Sequence, residues 1–350
     1  MRPLLVPFFI SHQGCPHRCV FCNQVRVAGA AGSLPTAAQL LRRIEEYRLG
    51  APARQLEVAF YGGSFTAMPR RDQEGLLLPL QPLLRAGVLQ SVRLSTRPDA
   101  VDPETARFLK QHGVATVELG VQSLHAEVLE LSGRGHGADE VERSVATLKE
   151  AGIEVGIQLM PGLPGDTPQR ALDSLHRALD LAPAFLRIYP TLVIDGTELA
   201  RRYRDGSYRP LSLGEAVALC KEMLAAAGQA GIPVIRFGLQ PTSELDSPGV
   251  VLAGPYHPAF GQLVESELCF DRMCALLTGV PPGSVVTFGA PAGRLSDLVG
   301  QRRVNLQRLA ARYGVTATVR EDAALPPGVI SLQWDGPSRH ARLFESHPRH

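Results

Sequence analysis

Residues 14–23 of the chain read GCPHRCVFCN. This stretch places three cysteines, Cys15, Cys19 and Cys22, in a C-x-x-x-C-x-x-C spacing. Three thiolates this close in sequence can hold three corners of a cubic iron–sulfur cluster, whereas an ordinary electron-transfer cluster takes four cysteines. The spacing therefore predicts a [4Fe–4S] cluster with one iron that lacks a protein ligand, and such an iron can bind a substrate or cofactor directly.

Two other interpretations of the three cysteines stay open on spacing alone. Positions i, i+4 and i+7 share one face of a helix, where free cysteine packs as a small apolar side chain. A structural zinc ion takes four ligands, and His17 could supply the fourth only by folding back between two of the cysteines. Pro16 and the polar neighbours argue against a buried helical face, so the pattern favours a cluster.

The composition is that of an ordinary globular chain. Its 350 residues suit one large domain, or one large and one small. A hydrophobic content of 45% suits a packed core. The 36 Lys and Arg residues stand against 34 Asp and Glu, so the net charge of +2 does not by itself call for a nucleic-acid partner. A local basic patch is compatible with that balance.

The remaining cysteines and the N-terminus indicate a reduced compartment. Cys220, Cys269 and Cys274 lie far from the triplet in helical patterns that favour buried packing, and no disulfide framework is evident. No signal peptide opens the chain, and the apolar run at 4–10 is too short to span a membrane. We therefore expect a cytoplasmic protein without a membrane partner, which suits an oxygen-sensitive cluster.

Short apolar runs alternate with longer helical patterns along most of the chain. The predicted strands are 4–10, 56–61, 91–95, 116–120, 154–160 and 185–189, and the predicted helices are 36–48, 72–84, 103–112, 139–151, 168–181 and 212–230. Six such units predict an α/β fold with a parallel sheet and crossover helices. The periodicity is compatible with an open doubly wound sheet and with a curved partial barrel.

Unusual polar motifs follow the ends of the predicted strands, where active sites lie in parallel α/β sheets and barrels. The candidate residues there are Gly62, Gly63, Ser95, Arg97, Gln122, Arg134 and Gln158. The glycines let backbone approach a ligand, although a tight turn would use the same pair. The neutral side chains suit ribose hydroxyls or an amino acid. The arginines suit a carboxylate, or a surface salt bridge. Their shared position beside the cysteine loop favours a binding site.

The cysteine stretch, with Phe21 before its last cysteine, resembles the signature of the radical S-adenosylmethionine superfamily. The sequence GGS that ends at Ser64 resembles the glycine motif of that superfamily, which meets the amino group of S-adenosylmethionine. The resemblance covers about 4–237 and implies a partial (β/α)6 barrel of parallel strands. It also implies that the three cysteines bind a [4Fe–4S] cluster whose open iron takes S-adenosylmethionine. A P-loop or dinucleotide fingerprint is absent.

Further motifs resemble the Elongator catalytic subunit, whose family modifies the wobble uridine of tRNA. They are FYGGSFT at 60–66, STRPD at 95–99, VELGVQS at 117–123, RGH at 134–136 and IYPTLV at 188–193. Residues 158–164 also resemble oxygen-independent coproporphyrinogen oxidases. These resemblances imply that Ser95 and Gln158 face the cofactor ribose, Gln122 the cofactor and Arg134 its carboxylate. An electron donor such as a reductase, flavodoxin or ferredoxin is implied as a partner.

The sequence also departs from the Elongator subunit. That protein carries an acetyltransferase domain after its radical domain and a basic N-terminal extension, and this sequence leaves room for neither. We therefore expect a short Elongator-like relative that does not by itself perform acetyl-CoA-dependent carboxymethylation, and whose substrate can differ.

The C-terminal third predicts a second, smaller α/β domain. We divide the chain into a radical SAM core at 1–240, a linker and helix at 241–280, a KH-like domain at 281–335 and a polar tail at 336–350. The strand–helix–loop–helix–strand order resembles a KH core, which clamps single-stranded nucleic acid at its loop. Here the loop reads GQRR at 300–303 in place of G-x-x-G, which weakens the resemblance. Arg302, Arg303 and Arg308 could still meet phosphates. A small cap with a solvated basic turn would show the same order.

These features predict a radical S-adenosylmethionine enzyme that cleaves its cofactor reductively and abstracts hydrogen from a substrate, with tRNA or another RNA as the first expectation. One rival hypothesis is an enzyme of the same class that acts on a small metabolite or a tetrapyrrole. The other is a non-catalytic, cluster-bearing RNA-binding protein.

Overall fold

A computed structural model describes residues 3–16, 19–23 and 33–343. The chain divides into two compact units, Met1–Pro210 with Leu239–Gly254, and Leu211–Gly238 with Pro255–His350. The division at 240, 280 and 335 that the sequence predicts stays a prediction. No helix among the described residues is long and apolar enough to cross a membrane.

Six parallel strands form the frame of the first unit and pair in chain order. They are β1 (Leu4–Phe9), β2 (Leu56–Tyr61), β3 (Leu89–Thr96), β4 (Val114–Gln122), β5 (Glu154–Leu159) and β6 (Phe185–Ile188). All six predicted strands are found, and the α/β class is confirmed. Because paired parallel strands end at one edge, the loops that follow them are brought together.

The helices of the first unit are α1 (Ala37–Gly50), α2 (Arg70–Leu77), α3 (Gln81–Arg85), α4 (Pro103–Gln111), α5 (Ala126–Leu131), α6 (Ala138–Glu150), α7 (Pro168–Asp180) and α8 (Glu198–Arg204). Side-chain caps start several of them, as Thr36 does for α1 and Asp102 for α4. The single helix predicted at 72–84 was wrong: α2 ends before Pro79 and α3 starts beside Pro82, since proline cannot supply the helical N–H bond.

A second, two-stranded sheet lies in the same unit. It pairs β7 (Val193–Ile194) with β9 (Val251–Ala253) in antiparallel fashion. The segment predicted as a linker thus contributes a strand.

The second unit begins with α9 (Leu213–Gln229), β8 (Val234–Phe237) and α10 (Phe260–Leu276). Its remaining elements are β10 (Val285–Ala290), α11 (Leu295–Val299), α12 (Val304–Tyr313), β11 (Thr316–Glu321), β12 (Val329–Gln333) and β13 (Arg339–Arg342). Its sheet runs in the order β11-β10-β12-β13, with β10 and β11 parallel. Phe288, Leu309 and Met273 lie in its fully buried core.

The strand–helix–loop–helix–strand order predicted for this region is found, while its KH likeness stays a prediction. The strands β12 and β13 were not predicted from the sequence. The strand β13 lies within the segment that was expected to be a polar tail. It was missed because its residues, RHAR, do not alternate between apolar and polar.

Candidate cluster and cofactor site

The loop that carries the cysteines follows β1 and packs against the loop that follows β2. The Ser64 amide donates a hydrogen bond to the Gln13 carbonyl at 2.8 Å, and the Ser64 hydroxyl lies 3.4 Å from the Cys15 sulfur. These contacts join the first predicted cysteine ligand to the glycine motif.

Two glycines make this close approach sterically feasible. Gly14 has a φ of +70°, and a Cβ there would collide with the Ser64 carbonyl oxygen. A Cβ on Gly63 would lie 2.6 Å from the Ile10 carbonyl oxygen and 2.7 Å from that of Gln13. Since those neighbours are backbone atoms, neither position accommodates a larger residue without moving the loop.

The second half of the cysteine loop is held by Val20. Its amide donates to the Ser132 carbonyl at 3.1 Å, and its carbonyl accepts from the Leu199 amide at 2.7 Å. The Val20 side chain is buried in a group of hydrophobic residues that includes Val193 and Tyr208. The predicted site residue Phe21 packs against the same group. Cys19 and Cys22 therefore flank a fixed point of the loop.

Cys15, Cys19 and Cys22 form no disulfide and are partly exposed. Among the described residues, no group of three His, Cys, Asp or Glu side chains converges as one metal ion would require. A tetrahedral zinc site needs that convergence, whereas each cysteine of a cubic cluster ligates a different iron. The predicted zinc alternative also relied on His17, which lies outside the described residues.

Arg134 contacts the cysteine loop at Cys19. Its Nη1 donates to the Cys19 sulfur at 3.2 Å, and its Nη2 donates to the Gly120 carbonyl. The side chain is buried, and its Nε has no hydrogen-bond partner within the described chain. Burial lowers the pKa of the guanidinium, and the neighbouring Cys19 opposes that shift. A buried guanidinium nitrogen without a hydrogen-bond partner suits an anionic acceptor. Hydrogen bonds to a cysteine sulfur also tune the reduction potential of an iron–sulfur cluster.

Gln122 and Gln158 meet at the ends of β4 and β5, where the Gln158 amide donates to the Gln122 side-chain oxygen at 3.1 Å. Gln122 adopts a φ of +69° beside a register shift in the sheet. This left-handed conformation is strained for a non-glycine residue, and such strain concentrates at functional sites. A Cβ on Gly120 would lie 2.9 Å from the Gln122 amide nitrogen, so the glycine leaves room for that side chain.

The other predicted residues occupy different surroundings. Arg97 holds Asp99 through two hydrogen bonds of 2.9 and 3.0 Å and donates to the Arg134 carbonyl, so its carboxylate partner is internal. Ser95 is partly exposed on β3, in register with Glu118 of β4.

His136 lies behind these arginines with a buried side chain. One of its ring nitrogens is 3.3 Å from the Val121 carbonyl and the other is 4.0 Å from Asp99. Burial, reinforced by the charges of Arg134 and Arg97, lowers the pKa of His136 to about 4. The imidazole is therefore neutral at physiological pH.

An ionic network that was not predicted from the sequence lies on the face of the sheet that carries the candidate site. Arg93 of β3 lies 3.1 Å from Glu57 and 3.2 Å from Glu118. Arg187 of β6 lies 2.7 Å from Glu118, and the Tyr61 hydroxyl donates to Glu118 at 3.3 Å. Charged residues at single positions within apolar strands were the available signal, because buried charges are almost always paired.

Comparison with protein-family models gives two adjacent matches. Residues 9–178 match the Radical SAM superfamily, and residues 183–269 match the Radical_SAM C-terminal domain. The two matches cover most of the chain and include the candidate cluster and cofactor residues described above.

The curated relatives include a tRNA uridine(34) acetyltransferase of Methanocaldococcus jannaschii, which is 27% identical over 61% of this chain and 47% of its own length. Elongator complex protein 3 of Saccharomyces cerevisiae is 27% identical over 60% of this chain and 46% of its own. This chain thus spans about half the length of these relatives.

Among solved structures, the Elp3 of Methanocaldococcus infernus with an N-terminal deletion superposes with a TM-score of 0.60 at 24% identity, over 76% of this chain and 62% of that one. This likeness shows the fold, and the predicted partial barrel of parallel strands is confirmed.

We predict that Gly63→Ala displaces the cysteine loop, because the added Cβ would meet two backbone carbonyl oxygens. The expected result is a loss of about 1–3 kcal/mol in the free energy of unfolding, with reduced iron content after anaerobic reconstitution. Urea unfolding and iron analysis measure both. The matched control is Gly75→Ala in α2, where a Cβ meets nothing within 4 Å. Wild-type stability and iron content in Gly63→Ala would contradict the steric argument.

We predict that His136 makes the protein less stable in acid. Its pKa is about 4 when folded and 6.5 in the reference state, so the unfolded chain takes up the proton first. The contribution of neutral His136 to the free energy of unfolding is complete above about pH 6.5. It is lost as the pH falls towards about 4, and the loss is at most ~3 kcal/mol. Urea unfolding across this range should show a shallower pH dependence in His136→Gln; an unchanged dependence would refute the assignment.

Proposed function

The chain belongs to the radical SAM superfamily, and from this we propose that it cleaves S-adenosylmethionine reductively at a [4Fe–4S] cluster and abstracts hydrogen from RNA. It is a radical SAM enzyme. The observation that carries the proposal is the packing of the cysteine loop on the glycine motif, with the buried Arg134 guanidinium at Cys19.

The residues present fit the two cofactors. Cys15, Cys19 and Cys22 would hold the cluster, since they supply three thiols on one loop and leave the fourth iron open. Hydrogen-bonding groups already stand beside two of the sulfurs, from Ser64 and Arg134. When bound, the cluster and S-adenosylmethionine supply a 5′-deoxyadenosyl radical, and the protein supplies binding, orientation and shielding.

The polar groups along the strand ends would orient S-adenosylmethionine. We assign the amino group to Gly62, Gly63 and Ser64, and the carboxylate to the unpaired Nε of Arg134. The paired amides of Gln122 and Gln158 leave further donors and acceptors for the ribose and adenine, with Ser95 on the neighbouring strand. In this assignment, each polar group of S-adenosylmethionine has a polar partner in the site.

RNA, and tRNA first, is the substrate that we propose, because the relatives include tRNA uridine(34) acetyltransferases. In the second unit, Arg302 and Arg303 are exposed, and both adopt left-handed backbone angles, with φ of +50° and +63°. Arg308 is less available than expected, since it holds Glu267 through bonds of 2.6 and 2.9 Å. We propose that the first two arginines meet RNA phosphates. A reductase, flavodoxin or ferredoxin would supply electrons in the cytoplasm.

The mechanism predicts that anaerobically reconstituted protein forms 5′-deoxyadenosine from S-adenosylmethionine when dithionite is added, as measured by chromatography. Cys19→Ala should lose both the cluster and the product, because two remaining cysteines cannot hold the cluster. Cys274→Ala, in α10, is the matched control and should retain both. A cluster-replete wild type that leaves S-adenosylmethionine intact would contradict the mechanism and favour a non-catalytic protein.

The RNA proposal predicts that the double variant Arg302→Glu, Arg303→Glu binds a tRNA transcript more weakly. Its salt dependence should fall by about two counterions, one for each lost phosphate contact. Filter binding at several salt concentrations measures both. The control is Arg42→Glu with Arg143→Glu, which changes the charge equally at two helix positions with 76% and 69% exposed side chains. Equal binding by both double variants would argue against these phosphate contacts. A wild type that binds no tRNA would overturn the RNA substrate and favour a small molecule.

A further inference from the structure

Phe9, the last residue of β1, exposes 46% of its surface, and it is the one exposed phenylalanine in the part of the chain that the structure describes. Its neighbour Phe8 is buried against Phe60, with the Arg43 guanidinium of α1 lying over it. Because successive residues of a strand face opposite sides, Phe9 points to the face that carries no such helix. That face holds the candidate site.

Tyr61 stands next to Phe9. The two residues are in register on β1 and β2, and their ring centroids are 6.4 Å apart at an angle of 43°. The Tyr61 hydroxyl donates to Glu118 at 3.3 Å and accepts from Arg187 at 3.4 Å. The Arg187 guanidinium also lies 5.7 Å from the Tyr61 ring. The ring is therefore fixed in place while Phe9 beside it faces solvent.

This aromatic pair borders the proposed cofactor site. Tyr61 directly precedes the glycine motif, and a Cβ on Gly62 would lie only 3.7 Å from the Phe9 ring. On the same face of the sheet, Arg187 of β6 is in register with Gln158 of β5. A group resting on the pair would lie next to the residues that we assign to S-adenosylmethionine.

The charges around the pair are mutually paired. Glu57 and Glu118 are matched by Arg93 and Arg187, at distances of 2.7 to 3.2 Å. No cation of this network is left over for a phosphate or a carboxylate, so the surface suits a neutral, planar group. The Tyr189 hydroxyl accepts from Arg187 at 3.1 Å, and its own proton can be donated to the edge of such a group.

We propose that Phe9 and Tyr61 form a stacking wall for one base of the RNA substrate and present it to the radical. The inference rests on the proposed RNA function and adds to it the place where a substrate base is held. Stacking on aromatic side chains is the common means by which proteins hold unpaired bases, and it tolerates any base because each has a π-face. The phosphates would be bound elsewhere, since this wall has no free positive charge.

Photo-crosslinking tests the wall directly. A tRNA transcript that carries 5-bromouridine in place of uridine is bound anaerobically to the reconstituted protein, irradiated and digested, and the crosslinked peptides are identified by mass spectrometry. The wall predicts crosslinks at Phe9 or Tyr61. Crosslinks confined to other residues would overturn the wall, while leaving RNA as the substrate.

Substitutions at Phe9 provide a second measurement. Phe9→Leu keeps an apolar side chain of similar size but removes the ring, and we expect it to weaken binding of the unmodified transcript by about tenfold. Phe9→Trp keeps a stacking surface and should bind as the wild type does. Leu49→Ala, at an exposed apolar position of α1, is the control for surface trimming and should not change the affinity.

The outcomes separate this inference from the function on which it rests. Equal affinity in Phe9→Leu and the wild type would overturn the wall alone. Loss of affinity for S-adenosylmethionine instead of RNA would show that the wall holds the cofactor's adenine, and would also overturn the inference. A wild type that forms 5′-deoxyadenosine but binds no transcript would overturn the RNA function, and the wall with it.

Discussion

The candidate site depends on the close approach of two backbone segments, the turn before Cys15 and the loop that follows β2. Their carbonyl and amide groups meet where any side chain on Gly14 or Gly63 would collide. This contact sets the position of the first cysteine relative to the glycine motif, and the buried Val20 sets the position of the other two. The geometry is therefore fixed by packing and backbone hydrogen bonds within the chain, as preorganised sites require.

The electrostatics of the barrel divide its inner face into two parts. Near the strand ends, Arg134 is buried beside Cys19 with one donor unpaired, so an anionic group is favoured there. Further along the same strands, Glu57, Arg93, Glu118 and Arg187 neutralise one another. One small face therefore carries both an arginine with an unpaired donor and a set of charges that are paired with one another.

Much of the fold was predictable because its signals are local. The six strands are short apolar runs that the alternation of elements locates. The end of α2 before Pro79 was not predicted, although the missing N–H of proline was the available signal. The cysteine spacing and the glycine motif also located the candidate site. The partnership of Arg187 with Glu118 was not predictable, since it joins residues 69 positions apart whose meeting depends on strand order. The left-handed conformation of Gln122 lies at a register shift between β4 and β5, and no residue type in the sequence predicts that shift.

If the three cysteines hold a [4Fe–4S] cluster, one iron is left free to bind S-adenosylmethionine. Electron paramagnetic resonance of the dithionite-reduced, reconstituted protein tests it most directly, with S-adenosylmethionine labelled with nitrogen-15 at its amino group. We expect the cofactor to change the cluster spectrum and a hyperfine coupling to the labelled nitrogen to be detected. A cluster spectrum that S-adenosylmethionine leaves unchanged, with no such coupling, would contradict it.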